Sequence, residues 1–258
     1  DGCKISSNAA KEHSGTLDEL SQKREKINRK IRACMAEHKK LDGRKPKERD
    51  CKQQLNKATE TLQKEFPNKS YLRKMDVADA EASRETLADL VSEMGGMDIL
   101  VLNAGIGDSK PSWELEQQII MVNIAGFTAL GNWAVHYYEG KGGGQIAGIS
   151  SVASLRGTHI ATVYSASKAY ISSYMEGLQQ RSNRKKQGIT VTDIRPGFVA
   201  TPMTQENKGM FWVATPEKAA EQIYTAIKNK KRVAYITRRW WIVAQMIKSI
   251  PDFLWLKG

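Results

Sequence analysis

Residues 97–105 read MDILVLNAG, and the fold turns on this run. Four apolar residues in succession, Ile99 to Leu102, follow Gly95-Gly96 and stop at Asn103-Ala104-Gly105. A strand with one wet face alternates apolar and polar residues. An unbroken apolar run between loops marks a strand buried on both faces, as in a parallel sheet. Outward from it the pattern repeats. A helix, about Ala80 to Met94, precedes it, and before that comes a short strand candidate, SYLRKMDV at 70–77. After it come the helical stretch LEQQIIMVNIAGFTALGNWAVHYY at 115–138 and, past a glycine turn, the strand QIAGIS at 145–150. GITVTDIRPG at 188–197 reads as a buried strand stopped by Pro196-Gly197. TPEKAAEQIYTAIKNK at 215–230 reads as a helix capped by Thr215, and RVAYIT at 232–237 closes the series. This alternation predicts an α/β fold over residues 70–258: a doubly wound, Rossmann-like parallel sheet with right-handed crossovers.

Residues 1–69 follow another pattern. They contain no valine and no run resembling a buried strand. Leu17, Leu20, Ile27, Ile31 and Met35 fall near helical spacing behind Thr16-Leu17-Asp18-Glu19, which has the form of a capping box. Leu55, Leu62 and Phe66 mark a second amphipathic stretch. The expectation is an atypical charged, helix-rich segment over 1–69, ahead of a catalytic region over 70–258.

The bulk composition narrows the function. Of the net charge of +12, residues 1–70 carry +7, from 18 basic and 11 acidic side chains. The basic residues are interleaved with acidic ones and have no aromatic platform beside them, so no nucleic-acid partner is expected. No run approaches 18 apolar residues, and no membrane span is expected. Cys3, Cys34 and Cys51 are too few and scattered for a disulfide framework or a metal site. A reducing, cytoplasmic setting is the expectation.

Chemistry is suggested by YSASKAY at 164–170. Tyr164 and Lys168 are four apart and share a helix face, where a cation can bias a phenol. Spacing alone does not choose them, because Tyr137/Lys141 and Tyr224/Lys228 match it as well. Thirteen residues before Tyr164, however, stands Ser151, just past a predicted strand; the corresponding residues for the other pairs are Ile124 and Phe211. Asn103-Ala104-Gly105 and Asn123 also fall at or beyond strand ends, where open α/β sheets bind ligands.

With NAG at 103–105, VNIAG at 122–126, ISSVASLRG at 149–157, YSASK at 164–168 and RPGFVATPM at 195–203 in one order, the chain resembles the short-chain dehydrogenase/reductase family over about residues 70–258. The resemblance implies an oxidoreductase that interconverts a carbonyl and an alcohol. It implies Tyr164 as general acid or base, Lys168 lowering the Tyr164 pKa and contacting the nicotinamide ribose, and Ser151 polarising the substrate oxygen. Asn123 would position a water in a proton relay. Asn103, Ala104 and Gly105 would line the cofactor cleft, Asp76 and Val77 would meet the adenine, and Pro196, Gly197 and Thr201 would surround the nicotinamide carboxamide. Ser150 is the neighbour of Ser151 that the spacing passes over. NADP or NAD is the implied cofactor, and a reducing cell interior favours NADP. The family's glycine-rich TGxxxGxG turn is not found in 1–69.

The tail at 238–258 is basic and aromatic. Trp240, Trp241, Ile242, Phe253 and Trp255 alternate with Arg238, Arg239, Lys248 and Lys257. It is expected to wall the substrate cleft, to join subunits of a homo-oligomer, or to touch a membrane surface peripherally, which would suit a lipophilic carbonyl substrate. TQENKGMFWVA at 204–214 falls where the family's substrate loop lies, with Met210, Phe211 and Trp212 as an apolar lining. The competing reading is a catalytically silent relative that acts through association or membrane contact.

Overall fold

The structure, a computed structural model, describes residue 64 and residues 71–107, 112–204 and 209–256. The expected helical segment over 1–69, with its three cysteines, lies outside the described residues apart from Lys64. The elements run α1 (Ala80–Glu93), β1 (Ile99–Leu102), α2 (Trp113–Ile119), a π-helical turn (Ile120–Gly126), α3 (Phe127–Lys141), β2 (Gly144–Ile149) and a 3₁₀ turn (Val152–Leu155). They continue with α4 (Thr162–Lys185), β3 (Ile189–Pro196), a second 3₁₀ turn (Pro202–Thr204), α5 (Pro216–Lys228), β4 (Val233–Ile236), α6 (Trp240–Ser249) and α7 (Asp252–Trp255).

The four strands form one parallel sheet in the order β1-β2-β3-β4. Leu102 pairs with Gly148, Ile149 with Ile194, and Pro196 with Ile236, so the strands end together along one rim. Alternate residues feed two cores. Ile146 and Val191 point to the layer of α1, α3 and α4, where they meet Leu87, Phe127, Ile171 and Met175. Ala147, Ile194 and Ile236 point to the other face, where Ala219 and Ile227 of α5 cover them. β2 and β3 are covered on both faces. Ile99 and Val101 of β1 are exposed, so this strand, which pairs on one side alone among the described residues, is not buried on both faces as its apolar run predicts.

Helix starts follow the local chemistry. Asp79 accepts from the Ala82 amide at the head of α1, and Thr215 accepts from Lys218 at the head of α5, where Pro216 opens the first turn. The helical run Trp113–Lys141 is long and apolar enough, by composition, to cross a membrane. It owes that to core residues such as Ile119, Phe127, Leu130, Ala134 and Val135, which are buried inside the fold.

Two further expectations are corrected. SYLRKMDV forms no strand over its described part, and Tyr71 and Leu72 are exposed. An extended segment becomes a strand only by pairing, and β1 pairs with β2 alone among the described residues. The helix predicted through 115–138 is interrupted by the π turn at Ile120–Gly126, whose cause lies in the site.

Candidate active site

The rim at the ends of β1, β2 and β3 gathers most of the predicted residues. Asn123 sits in the π turn, fully buried. Its side-chain oxygen accepts from the Ile106 amide at 2.9 Å, and its nitrogen donates to the Ile106 carbonyl at 2.9 Å and to Ser167 Oγ at 3.0 Å. These bonds clamp the loop after β1 to the helix layer. They lie where the helix widens, as π turns at functional sites commonly do.

Ser151 follows β2 and caps the 3₁₀ turn, its Oγ accepting from the Ala153 amide at 3.1 Å. A hydroxyl that accepts there keeps its own proton to give. Ser150 faces the other way. Its hydroxyl donates to the Asp193 carboxylate and lies 3.0 Å from the Ile194 carbonyl, so it is bound into the sheet.

Tyr164 and Lys168 stand one turn apart on α4. Lys168 is 5% exposed and donates from Nζ to the Ile149 carbonyl at 3.0 Å. Its Nζ is 5.6 Å from the centre of the Tyr164 ring. Burial pulls the ammonium down to about 8, against the opposing field of Asp193. Burial pushes the Tyr164 hydroxyl up, and a hydrogen bond with Ser151 works in the other direction. The net direction for Tyr164 is upward, with burial as its largest cause.

The loop after β1 closes the floor. A side chain at Gly105 would come within 3.2 Å of Lys168 Nζ and 3.3 Å of Asn123 Oδ1. At Gly107 it would lie 3.6 Å from the Tyr164 ring and 3.1 Å from Met203 Sδ. Bare backbone beside a buried ammonium with one hydrogen bond suits a ribose hydroxyl of a nicotinamide cofactor. Lys168, Gly105 and Tyr164 would hold that half, while the buried Asn123 side chain is committed to Ile106 and Ser167. Asn103 and Ala104 are exposed at the same rim. Pro196 ends β3, and Gly197 and Thr201 follow it at the rim, with the Thr201 amide bonded to Thr204 Oγ1 at 3.2 Å.

Asp76 and Val77 belong to a turn. Asp76 Oδ1 accepts from the Ala78 amide at 3.0 Å, and its carbonyl takes Ser83 Oγ at 2.8 Å, so Asp76 shapes the entry to α1. The Val77 carbonyl packs on Gly126, against the π turn. The other two Tyr–Lys pairs have separate duties. Tyr137 accepts from the Met97 amide at 3.0 Å, Lys141 donates to the Met97 carbonyl at 2.9 Å, and Tyr224 is exposed. Among the described residues no group of three or more His, Cys, Asp or Glu could hold a metal.

Sequence reasoning missed the supports. Trp240, buried, packs on Gly197 and lies 5.4 Å from Phe198 and 4.9 Å from Phe211, ring centre to ring centre. Phe211 and Trp212, expected as a pocket lining, join this aromatic cluster, Trp212 meeting Phe211 and Trp240 edge to face. Arg156, five residues past Ser151, grips the tail: Nη1 is 2.8 Å from Asp252, Nη2 donates to the Ile250 carbonyl at 3.2 Å, and the guanidinium lies 5.4 Å over Trp255. Trp255 Nε1 donates to the Gly157 carbonyl at 2.8 Å. The tail is thus bound to the turn that carries Ser151.

Residues 49–210 match the sequence profile of the short chain dehydrogenases. The chain is 33% identical over 184 residues to the 15-hydroxyprostaglandin dehydrogenase [NAD(+)] of Rattus norvegicus, covering 69% of each chain. It is 36% identical over 137 residues to an uncharacterized oxidoreductase of Myxococcus xanthus, covering 52% of this chain and 53% of that one. These matches span about half to two-thirds of the relatives' length. The crystal structure of the bulky-bulky ketone specific alcohol dehydrogenase of Comamonas testosteroni superposes with a TM-score of 0.60 at 19% identity, covering 74% of this chain and 77% of that one.

Proposed function

We infer, for a chain that belongs to the short-chain dehydrogenase family and with it to the NAD(P)-dependent oxidoreductases, that it reduces a lipophilic carbonyl with Tyr164 as the proton donor. The observation that carries this reading is the convergence of Ser151, Tyr164 and Lys168 on one rim, with the phenol held in its protonated form by burial.

When bound, a nicotinamide cofactor supplies the hydride. The chain's own residues do the remainder. Ser151, with its oxygen already accepting from Ala153, donates its proton to the substrate oxygen and holds it beside Tyr164. Tyr164 gives up its proton as charge develops on that oxygen. Lys168, largely charged at neutral pH, lies over the ring that becomes phenolate and favours that loss. The Tyr164 phenol, pushed up by burial, carries its proton at neutral pH and can serve as the donor. The glycine turn that would cradle the pyrophosphate is not found in residues 1–69, and among the described residues those at the rim account for the nicotinamide half of a cofactor site.

The test is a fluorescence titration with NADH and NADPH, followed by a carbonyl screen on the chain and on Tyr164→Phe. The name of the rat relative argues for NAD, and a reducing interior for NADPH. Binding with turnover that falls about 10²–10⁴-fold in Tyr164→Phe supports the reading. No binding of either cofactor at millimolar concentration overturns it in favour of a silent relative.

The exposed apolar residues support two additions. Trp241, Ile242, Phe253 and Leu256 are exposed beside Arg238, Arg239 and Lys248, which suits peripheral contact between a cytoplasmic protein and an anionic membrane surface. Equal flotation with anionic liposomes before and after Trp241→Ser/Ile242→Ser sinks that idea. Trp113, Ile120, Met121 and Tyr170 are exposed on α2, the π turn and α4, which suits association with a second copy. A monomeric mass by light scattering at micromolar concentration excludes it.

A further inference from the structure

We propose that Asp193 is a positioning residue for this centre: its carboxylate anchors the Ser150–Ser151 corner through one oxygen, holds Arg195 through the other, and acts on Lys168 across the seam between sheet and helix. Among the described residues it is the only buried carboxylate. Its Oδ1 accepts from Ser150 Oγ, and its Oδ2 accepts from Arg195 Nε at 2.7 Å. Arg195 is fixed in turn by Tyr235 of β4, its guanidinium 5.9 Å over the ring and Nη1 donating to the hydroxyl at 3.3 Å.

Three consecutive residues at the end of β2 make this arrangement matter. The Ile149 carbonyl takes Lys168 Nζ, the Ser150 hydroxyl is tied to Asp193, and Ser151 carries the hydroxyl of the proposed site. Fixing the middle residue fixes its neighbours. The Ser150 amide is also pinned, to the Ile194 carbonyl at 2.8 Å, so both ends of Ser150 are held by β3.

The electrostatics point the same way. On α4 itself Tyr164 stands one turn before Lys168; the elements packed against α4 bring Asp193 and Arg195 on β3, Arg156 beyond the 3₁₀ turn, and Glu114 and Glu116 on α2. Of these, Asp193 is the one whose charge favours the ammonium against its burial. The fold does not require a charge here. Val191, two residues earlier on the same face of β3, fills its place with hydrocarbon, and a buried ion pair is seldom more stabilising than that. A carboxylate kept in such a position, bonded to the Ser150–Ser151 corner and acting on a buried lysine through its charge, fits a functional role better than a structural one.

The assignment rests on the proposed function only in calling Ser151 and Lys168 the reacting centre; its test needs no turnover. Uniform lysine labelling at Cε, with Lys168 assigned through Lys168→Arg, gives the Lys168 titration midpoint by NMR in the full chain. Asp193→Asn keeps the shape and removes the charge, and the midpoint should fall by about one unit. Arg195→Gln removes the opposing cation, and the midpoint should rise. Shifts of opposite sign follow from charge and not from loosened packing. An unchanged midpoint in a folded Asp193→Asn overturns the proposal. If that variant does not fold, Arg195→Gln decides alone: a rise supports it, and no change or a fall overturns it. In a chain that turns over, the pH–rate profile of Asp193→Asn should move with the Lys168 midpoint. A midpoint that moves in a chain without turnover leaves Asp193 standing and the reductase reading fallen.

Discussion

Arg156 and Asp252 meet at 2.8 Å, joining the turn after Ser151 to the helix near the end of the described chain. The ion pair is the weak part of the contact, because Asp252 is 83% exposed and such pairs contribute about 0–1 kcal/mol. Arg156 also bonds the Ile250 carbonyl and covers Trp255. Arg156→Ala should therefore cost about 1–3 kcal/mol in urea unfolding, well above Asp252→Ala. Equal costs would place the whole contact in the ion pair.

Two groups of the site act on the pH dependence of stability with opposite signs. Lys168 titrates near 8 in the fold and near 10.5 unfolded, so between these values the unfolded chain binds more protons and stability rises with pH. The full effect is on the order of 3 kcal/mol. Tyr164 has a raised folded pKa, so above about 10 the unfolded chain loses protons first and stability falls. Urea midpoints should climb from pH 8 to a maximum near about 10, and Lys168→Met should flatten the climb.

Two glycines on helical segments should respond in opposite ways. A Cβ at Gly126 would lie 2.0 Å from the Val77 carbonyl oxygen, so Gly126→Ala forces backbone apart and should cost about 3 kcal/mol or more. At Gly177, inside α4, a Cβ meets nothing within 4 Å. Gly177→Ala should add about 0.5–1 kcal/mol by helix propensity. Thermal melts of the pair check both.

Trp240 is buried, yet its Nε1 has no hydrogen-bond partner, so its value lies in shape. Trp240→Phe should cost only about 1–2 kcal/mol, and Trp240→Ala about 3–5 kcal/mol as a cavity opens under Gly197. A large loss in the phenylalanine variant would show that the indole nitrogen matters.

What the sequence disclosed were features that act locally. The apolar run at Ile99–Leu102, the strand at Ile189–Pro196 and the cap Thr215 carry their own physics, and each element formed, although one side of Ile99–Leu102 is exposed where burial on both faces was expected. Tyr164, Lys168 and Ser151 were legible because two spacings had to agree. Their supports were not. Arg156 looks like one more surface cation until Asp252 and Trp255 arrive from far along the chain, and Asp193 looks like a polar flaw in a strand. SYLRKMDV misled because strand propensity does not supply a partner, and the π turn was hidden because Asn123 bonds a distant loop.

The four strands begin at Ile99, Gly144, Ile189 and Val233, evenly spaced, and each lies beside the one before it. Within this part of the chain no later strand must be wedged between two that have already paired. During synthesis each new strand meets its neighbour already in place, and the sheet can widen by one strand per crossover as the polypeptide emerges.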